Sequence, residues 1–231
     1  MPYYYGFDRT YILVLIGLII TMIAQANVQR AFAKYSKIQT KKQITGKQTA
    51  NYILDTRGYN DIKIKQINNA MGDYFNPATK EVALSPQSIN DTSIASVAVA
   101  AHELGHVIQY KEGYTPLRIK SWLVPAVNFG SKLSFPLLFL GIFLSRQNLI
   151  DIGLILFSLT LIFQIVTLPV EFNASKRALA VLEESGMLVG EENNDAANML
   201  KAAAYTYVAA TLATALQFLR MFLLFNNRNR D

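Results

Sequence analysis

Four long apolar segments are the feature that most limits what this chain can fold into. They occupy residues 10–26, 121–145, 152–170 and 202–225. A transmembrane helix needs about 20 mostly apolar residues, so each segment is long enough to be a candidate span. Of the 231 residues, 52% are hydrophobic and only 16% are charged. We therefore predict a mostly α-helical membrane protein with about four transmembrane helices and a small α+β domain.

Two of these segments carry a cation. Lys132, in the second segment, would lie deep in the bilayer unless residues 121–131 form an interfacial helix, which would leave a short span. Arg220, in the fourth segment, is able to reach a membrane surface with its long side chain. Both arrangements of the second segment stay open.

The charges that flank the first segment predict its orientation. Asp8 and Arg9 precede it, whereas five cations follow it within residues 30–42. Cytoplasmic loops carry an excess of Lys and Arg, so we predict an uncleaved anchor with the loop 27–120 in the cytoplasm, although residues 24–26 (AQA) resemble a signal-peptide cleavage site. Four spans would then place the C-terminal NNRNRD outside, against the charge rule.

Composition excludes several classes of protein. Without any cysteine, the chain has neither a disulfide framework nor a thiolate metal site. The net charge of +6 does not indicate nucleic-acid binding, because the cations flank apolar segments, where they mark membrane orientation.

Between the first two apolar segments, the sequence predicts a small mixed domain. Residues 28–38 are typical of a basic amphipathic helix, either on the membrane surface or with one face buried in protein. The further elements predicted are a short helix closed by Gly58, a strand at 62–67, a hairpin of 73–75 with 81–85, and a helix of about two dozen residues from Asn90 or Asp91 to Gly113.

The last of these helices carries the motif H-E-x-x-H. Its residues are His102, Glu103 and His106, and these are the two histidines of the chain. Residues four apart lie on the same face of a helix, so both imidazoles can hold one metal ion, with Glu103 at the same opening as general base. The alternative, two histidines satisfied in a core, needs separate partners for three polar groups on an apolar helix.

A third metal ligand must come from elsewhere in the chain. A continuing helix carries Glu112 round to another face, so Glu112 is a poor candidate. Zinc sites of the His₂Glu type take a glutamate from a second helix. Glu171 suits this role, because the small residues Ala174, Ser175 and Ala178 recur beside it at helical spacing and allow close packing.

Four segments together resemble the YugP-type membrane zinc metallopeptidases of bacteria over nearly the whole chain: MGDYFNPATKEVALS, SVAVAAHELGHVIQY, TLPVEFNASKRAL and AAAYTYVAA. The plan is more distantly similar to HtpX and the CAAX prenyl proteases. The resemblance implies a zincin-like domain with His102, His106 and Glu171 as zinc ligands and Glu103 as the catalytic residue.

The chain departs from these relatives at two places. HtpX-like enzymes usually follow the ligand glutamate with Ala-Asp, whereas this chain has Ala174-Ser175. The YugP type leads us to expect Asp-His-Tyr-Asp-Pro in the hairpin, whereas residues 73–77 read DYFNP. We give Ser175, Arg177 and Tyr74 as candidates for supporting a ligand or stabilising the oxyanion.

These observations predict a Zn²⁺-dependent peptidase in a bacterial plasma membrane, with its active site facing the cytoplasm and membrane-associated or unfolded polypeptides as substrates. We expect five segments: an anchor (1–26), a zincin-like region (27–120), a transmembrane hairpin (121–170), a cytoplasmic helix with the third ligand (171–201) and a last span (202–225).

Two other functions stay open. An intramembrane zinc protease would hold the motif inside a span and take Asp151 as its ligand, but residues 90–101 are too few for the roughly 20 that a span needs. A non-catalytic scaffold would use zinc only to tie helices together, and would need a fourth protein ligand.

Overall fold

A computed structural model describes residues 8–69 and 72–226 of the chain. Its helices and strands follow in chain order: α1 (Tyr11–Tyr35), α2 (Gly46–Arg57), β1 (Lys63–Gln66), β2 (Tyr74–Asn76), β3 (Glu81–Leu84), α3 (Pro86–Asn90), α4 (Ile94–Lys111), α5 (Thr115–Phe143), α6 (Gln147–Glu184) and α7 (Glu191–Asn226).

Four of the helices are long and apolar enough to cross a membrane: α1, α5, α6 and α7. They carry most of the large apolar side chains that the protein leaves exposed, such as Trp122 (77% exposed) and Phe143 (75%). Exposed apolar surface on this scale is typical of helices that face lipid. The predicted fold class, mostly helical with about four spans and a small sheet, is confirmed.

The chain divides into two compact units. The apolar unit comprises Met1–Gln25, Ile119–Thr167 and Thr206–Asp231, and the mixed unit comprises Ala26–Arg118 and Leu168–Tyr205. The five-segment division expected from the sequence stays a prediction.

In the apolar unit, small residues bring helix backbones together. A side chain at Gly153 would meet Leu138 at 2.8 Å and the Ser134 carbonyl at 3.0 Å, and one at Gly17 would meet Ala213 at 3.1 Å. Close approach of this kind is how helices pack inside a bilayer, where the hydrophobic effect no longer drives association.

In the mixed unit, helices α2 and α4 pack around a fully buried apolar core that includes Ile53, Ile94 and Leu104. The sheet has the strand order β1-β3-β2. β3 pairs in parallel with β1 and antiparallel with β2. The predicted hairpin and the predicted strand are therefore confirmed, and β3 lies between two partners.

Helix α4, which carries the H-E-x-x-H motif, is shorter than the sequence predicts. Asn90 does not cap it but ends the separate helix α3, which Ser85 caps and Pro86 opens. α4 is instead capped by Ser93, whose hydroxyl accepts a hydrogen bond from the Ser96 amide. Its 18 residues are fewer than the two dozen expected, because the Ser93 cap starts the helix after Asn90 and Asp91, and Glu112 ends it before Gly113.

Two of the long helices continue beyond the apolar segments that the sequence shows. α6 continues through Pro169 to Glu184, since a proline removes a single helical hydrogen bond and can be tolerated where packing supports the helix. Likewise α1 runs on into the basic segment. There Phe32 and the buried Tyr35 pack on the core of the mixed unit, which favours a helix with one face buried in protein.

An ion-pair cluster connects the end of α4 to the loop before β1. Asp61 pairs with Lys111 of α4 and with Lys80, whose Nζ lies 2.9 Å from the Asp61 carboxylate. Hydrogen bonds from Lys111 and then Lys80 lower the pKa of Asp61 to about 2. These pairs are solvent-exposed and contribute little stability by themselves.

A close backbone contact in the mixed unit joins α4 to α6. A Cβ at Gly105 would lie 2.3 Å from the Ala174 carbonyl oxygen, well inside van der Waals contact. Ala174 is fully buried and Ala178 is 1% exposed. The small-residue face predicted from the sequence is thus confirmed as the contact surface of α6.

We expect Gly105→Ala to force α4 and α6 apart, because neither backbone can yield locally. The free energy of unfolding should fall by roughly 1–3 kcal/mol, as for other overpacked cores. The ring ¹⁵N resonances of the protein's two histidines should also shift, since His106 is the next residue.

Gly58→Ala is the control. Gly58 has a positive φ of 67° but open space around it, so alanine there should cost about 1–2 kcal/mol of backbone strain and leave both histidine spectra unchanged. Unchanged histidine resonances in Gly105→Ala would contradict the packing argument.

Candidate metal centre

Helix α4 presents the two imidazoles of the motif side by side. The ring centroids of His102 and His106 are 4.9 Å apart, with the rings nearly perpendicular. Both side chains are partly accessible, at 15% and 12%. Glu103 is 7% exposed on the same helix. The motif therefore lies at the margin of the core, where the imidazoles are still accessible to solvent.

Glu171 of α6 faces both imidazoles. Its Oε2 lies 3.4 Å from His102 Nε2 and 3.5 Å from His106 Nε2, and its side chain is only 4% exposed. The three ligand atoms all lie within 4.8 Å of one another. Two Nε2 atoms and a carboxylate oxygen converging on one point form a donor set that suits zinc. The chemistry of these residues thus fits the metal that the sequence predicts.

Ser175 contacts the first histidine from behind. The Nδ1 of His102 lies 3.1 Å from Ser175 Oγ. Ser175 follows Glu171 by one helical turn, so a single stretch of α6 supplies both the carboxylate and the group that orients His102. Ser175 therefore lies within hydrogen-bond distance of His102 and stays a candidate for supporting that ligand, with a hydroxyl where HtpX-like enzymes usually have a carboxylate.

Gln109 contacts the second histidine and was not predicted from the sequence. Its Oε1 lies 3.0 Å from Nδ1 of His106, which precedes Gln109 by about one helical turn. Its Nε2 donates to the Val170 carbonyl at 2.8 Å and to Asn173 Oδ1 at 3.0 Å. Gln109 is fully buried. The sequence signal that could have identified this partner is a glutamine three residues after His106 in an otherwise apolar run.

These contacts determine the proton position on His106. The Val170 carbonyl can only accept a hydrogen bond, so the Gln109 amide nitrogen must face it and Oε1 must face His106. An amide oxygen also only accepts, so Nδ1 of His106 carries the proton. The Nε2 lone pair therefore points toward Glu171, which is the tautomer a metal ligand needs.

Beyond Gln109, the hydrogen-bond network continues to the surface. Arg177 Nε donates to Asn173 Oδ1 at 2.7 Å. The Arg177 guanidinium also pairs with Glu112 and lies 5.8 Å from the Tyr114 ring centre. Glu112 is therefore engaged with Arg177, in keeping with its exclusion as a ligand.

The structure thus brings together four of the candidate residues, His102, His106, Glu171 and Ser175. Arg177 connects to the site through Asn173 and Gln109. Tyr74 lies on strand β2 and is 47% exposed, with no described contact to the three ligand atoms.

Comparison with known proteins gives two matches. A family model described as "Putative neutral zinc metallopeptidase" matches residues 10–226, a range that includes the whole site. The chain is also 41% identical over 205 residues to "Putative membrane protease YugP" of Bacillus subtilis (strain 168), which is 88% of this chain and 91% of that protein. No protein of solved structure matches the chain significantly.

We expect Gln109→Leu to lower the free energy of unfolding by roughly 2–4 kcal/mol, because it removes the hydrogen bonds from the buried amide to Val170 and Asn173 and leaves the His106 ring without its Gln109 partner. The ¹⁵N spectrum of the metal-free protein at high pH should show His106 protonated at Nδ1 in the wild type and a mixture of tautomers in the variant.

Gln87→Leu is the matched control, since Gln87 is an exposed helical glutamine. It should change stability by no more than about 0.5 kcal/mol. A His106 protonated at Nε2 in the wild type would contradict the tautomer assignment.

Proposed function

The chain belongs to the family of putative neutral zinc metallopeptidases, and on this basis we propose that it is a membrane-bound zinc endopeptidase whose metal is held by His102, His106 and Glu171. The observation that carries this proposal is the convergence of the three ligand atoms within 4.8 Å. Three protein ligands are typical of catalytic zinc sites, which keep a fourth position for water or substrate.

When bound at these residues, zinc would supply Lewis-acid polarisation of the scissile carbonyl and a lowered pKa for the attacking water. Residues of the chain position the metal ligands. Gln109 and Ser175 hold the imidazoles in position, and the burial of Glu171 keeps its carboxylate aimed at both rings.

Glu103 is the proposed general base. It follows His102 directly on α4, and its burial restricts the carboxylate to few orientations. We infer that it accepts the proton of the attacking water and passes it to the leaving amine, as a carboxylate beside the reacting atoms can.

Substrate binding is proposed at the free edge of β2. Because β3 is paired on both sides, the edges of the described sheet belong to β1 and β2. β2 lies against α4, where the Phe75 ring centre is 5.6 Å from that of Tyr110, one turn beyond His106. An extended polypeptide could add there as a further strand, beside the exposed Tyr74, which stays a candidate for the oxyanion.

Location and orientation complete the proposal. The relative is named a membrane protease, and four helices of this chain are able to span a bilayer. The cations that follow the first apolar segment support an active site on the cytoplasmic side of a bacterial plasma membrane. Membrane proteins and their cytosolic tails are then the most accessible substrates.

The two other functions have less support. The intramembrane protease needed Asp151, but the ligand cluster found among the described residues contains Glu171 instead, and Asp151 accepts a hydrogen bond from Gln147 at 2.8 Å. The scaffold needed a fourth protein ligand, and that same cluster within residues 8–69 and 72–226 has three.

The Glu103→Gln variant should still bind zinc but should lose peptidase activity. We expect cleavage of unfolded casein by the detergent-purified protein to fall by about 10²–10⁴-fold, the range for loss of a general base, with zinc content by atomic emission unchanged. Glu183→Gln, the same substitution at an exposed site on α6, should retain wild-type cleavage. Cleavage by Glu103→Gln at the wild-type rate would favour the scaffold.

Removal of one carboxylate at a time distinguishes the two protease functions. Glu171→Gln should weaken zinc binding by more than about 100-fold, because even partners of the ligands contribute 10–100-fold. Asp151→Asn should bind zinc like the wild type. Competition with a chromophoric chelator measures both. Loss of zinc with Asp151→Asn alone would overturn Glu171 as a ligand.

A further inference from the structure

A cavity lies within the mixed unit and is lined by side chains of α1 and α7. It encloses about 330 Å³, the lower end of the range for small-ligand sites. Three cations line it: Arg30 and Lys34 from α1, and Lys201 from α7. Tyr35 and Tyr205 also line it, and we refer to it as the basic cavity.

The cations of the basic cavity have no carboxylate partner among the residues that the structure describes. Lys34 Nζ lies 3.4 Å from the Tyr35 hydroxyl and 4.7 Å from the centre of the Tyr35 ring. Lys201 Nζ lies 5.9 Å from the Tyr205 ring centre. Neither Asp nor Glu lines the cavity. Three positive charges around one opening repel each other unless an anion binds there.

The other polar groups of the cavity also suit a phosphate. Asn27 and Asn198 add amide groups that can donate hydrogen bonds, and both tyrosine hydroxyls can donate as well. Phosphate oxygens accept several hydrogen bonds at once from Lys, Arg and neutral donors. The donor set of the basic cavity therefore matches a phosphate ester.

The place of these residues along their helices points to a lipid as the source of that phosphate. Arg30 follows the end of the first apolar segment, at Ala26, by four residues, or about 6 Å of helix. Lys201 directly precedes the last apolar segment. Cations and tyrosines at the ends of spans lie at the level of lipid headgroups, and basic pockets there bind anionic lipids.

We propose that the basic cavity binds the headgroup phosphate of an anionic phospholipid. The proposal is independent of the peptidase activity, because it involves neither the ligands nor Glu103. It assigns to α1 and α7 a specific lipid contact in addition to membrane anchoring.

Native mass spectrometry of the full-length protein, released from detergent with added phosphatidylglycerol or phosphatidylcholine, tests the proposal. The wild type should retain phosphatidylglycerol in preference to phosphatidylcholine. The triple variant Arg30→Gln, Lys34→Gln, Lys201→Gln should bind it on the order of 100-fold more weakly, since each cation near a membrane surface contributes roughly fivefold.

A second triple variant controls for net charge. Lys47→Gln, Lys63→Gln and Lys65→Gln remove three exposed cations from α2 and β1 and should leave lipid retention unchanged. Equal losses in both triple variants would show a general charge effect and overturn the site. The single variant Lys201→Gln, with a loss of about fivefold expected, replaces the triple variant if the latter does not fold.

Inorganic phosphate distinguishes the two sources of the anion. If the site is built for lipid, millimolar phosphate should displace little phosphatidylglycerol from the wild type. Equal binding of phosphate and lipid to the wild type, with loss of both in the triple variant, would overturn the lipid assignment in favour of a free phosphate. Zinc content checks the fold of each variant, and failure of the wild type to bind zinc would count only against the peptidase proposal.

Discussion

The contact between α4 and α6 at Gly105 and Ala174 brings together the residues of the candidate metal centre. Two histidines on one helix supply an incomplete set of ligands, and the carboxylate is encoded 65 residues after His106. Only because Gly105 lacks a side chain can the backbone of α6 approach closely enough for Glu171 to face both rings. Every other property of the site depends on that approach.

Around this contact, each imidazole has its own partner, and both partners are uncharged. Ser175 contacts His102, and Gln109 contacts His106. Carboxylate partners raise the basicity of a histidine ligand, so neutral partners leave more of the positive charge on a bound metal. Such a site is suited to polarising a carbonyl, and the neutral partners add no further carboxylate to Glu103 and Glu171, which are already buried there.

Gln109 also connects the two helices that supply the ligands. One buried amide connects His106, the backbone of α6 at Val170, and Asn173. Through Asn173 the network reaches Arg177 and then Glu112 at the end of α4. The two helices are thus joined by hydrogen bonds on one side of the ligands and by close backbone packing on the other, which limits rotation of either helix.

The sequence by itself determined the local features of this protein. Apolar length predicted four candidate spans, alternation predicted the sheet strands, and the spacing of His102 and His106 predicted a shared ligand face, because each of these is a property of one segment. A local signal also misled, since Ser93 rather than Asn90 or Asp91 begins α4. Only the tertiary structure decided that Gln109 orients His106 and that Arg177 pairs with Glu112. Arg177 and Glu112 lie 65 positions apart, and the amide of Gln109 is held by Val170 and Asn173, which lie 61 and 64 positions from it. Hydrogen bonds between such distant residues depend on distances between atoms that no local pattern encodes.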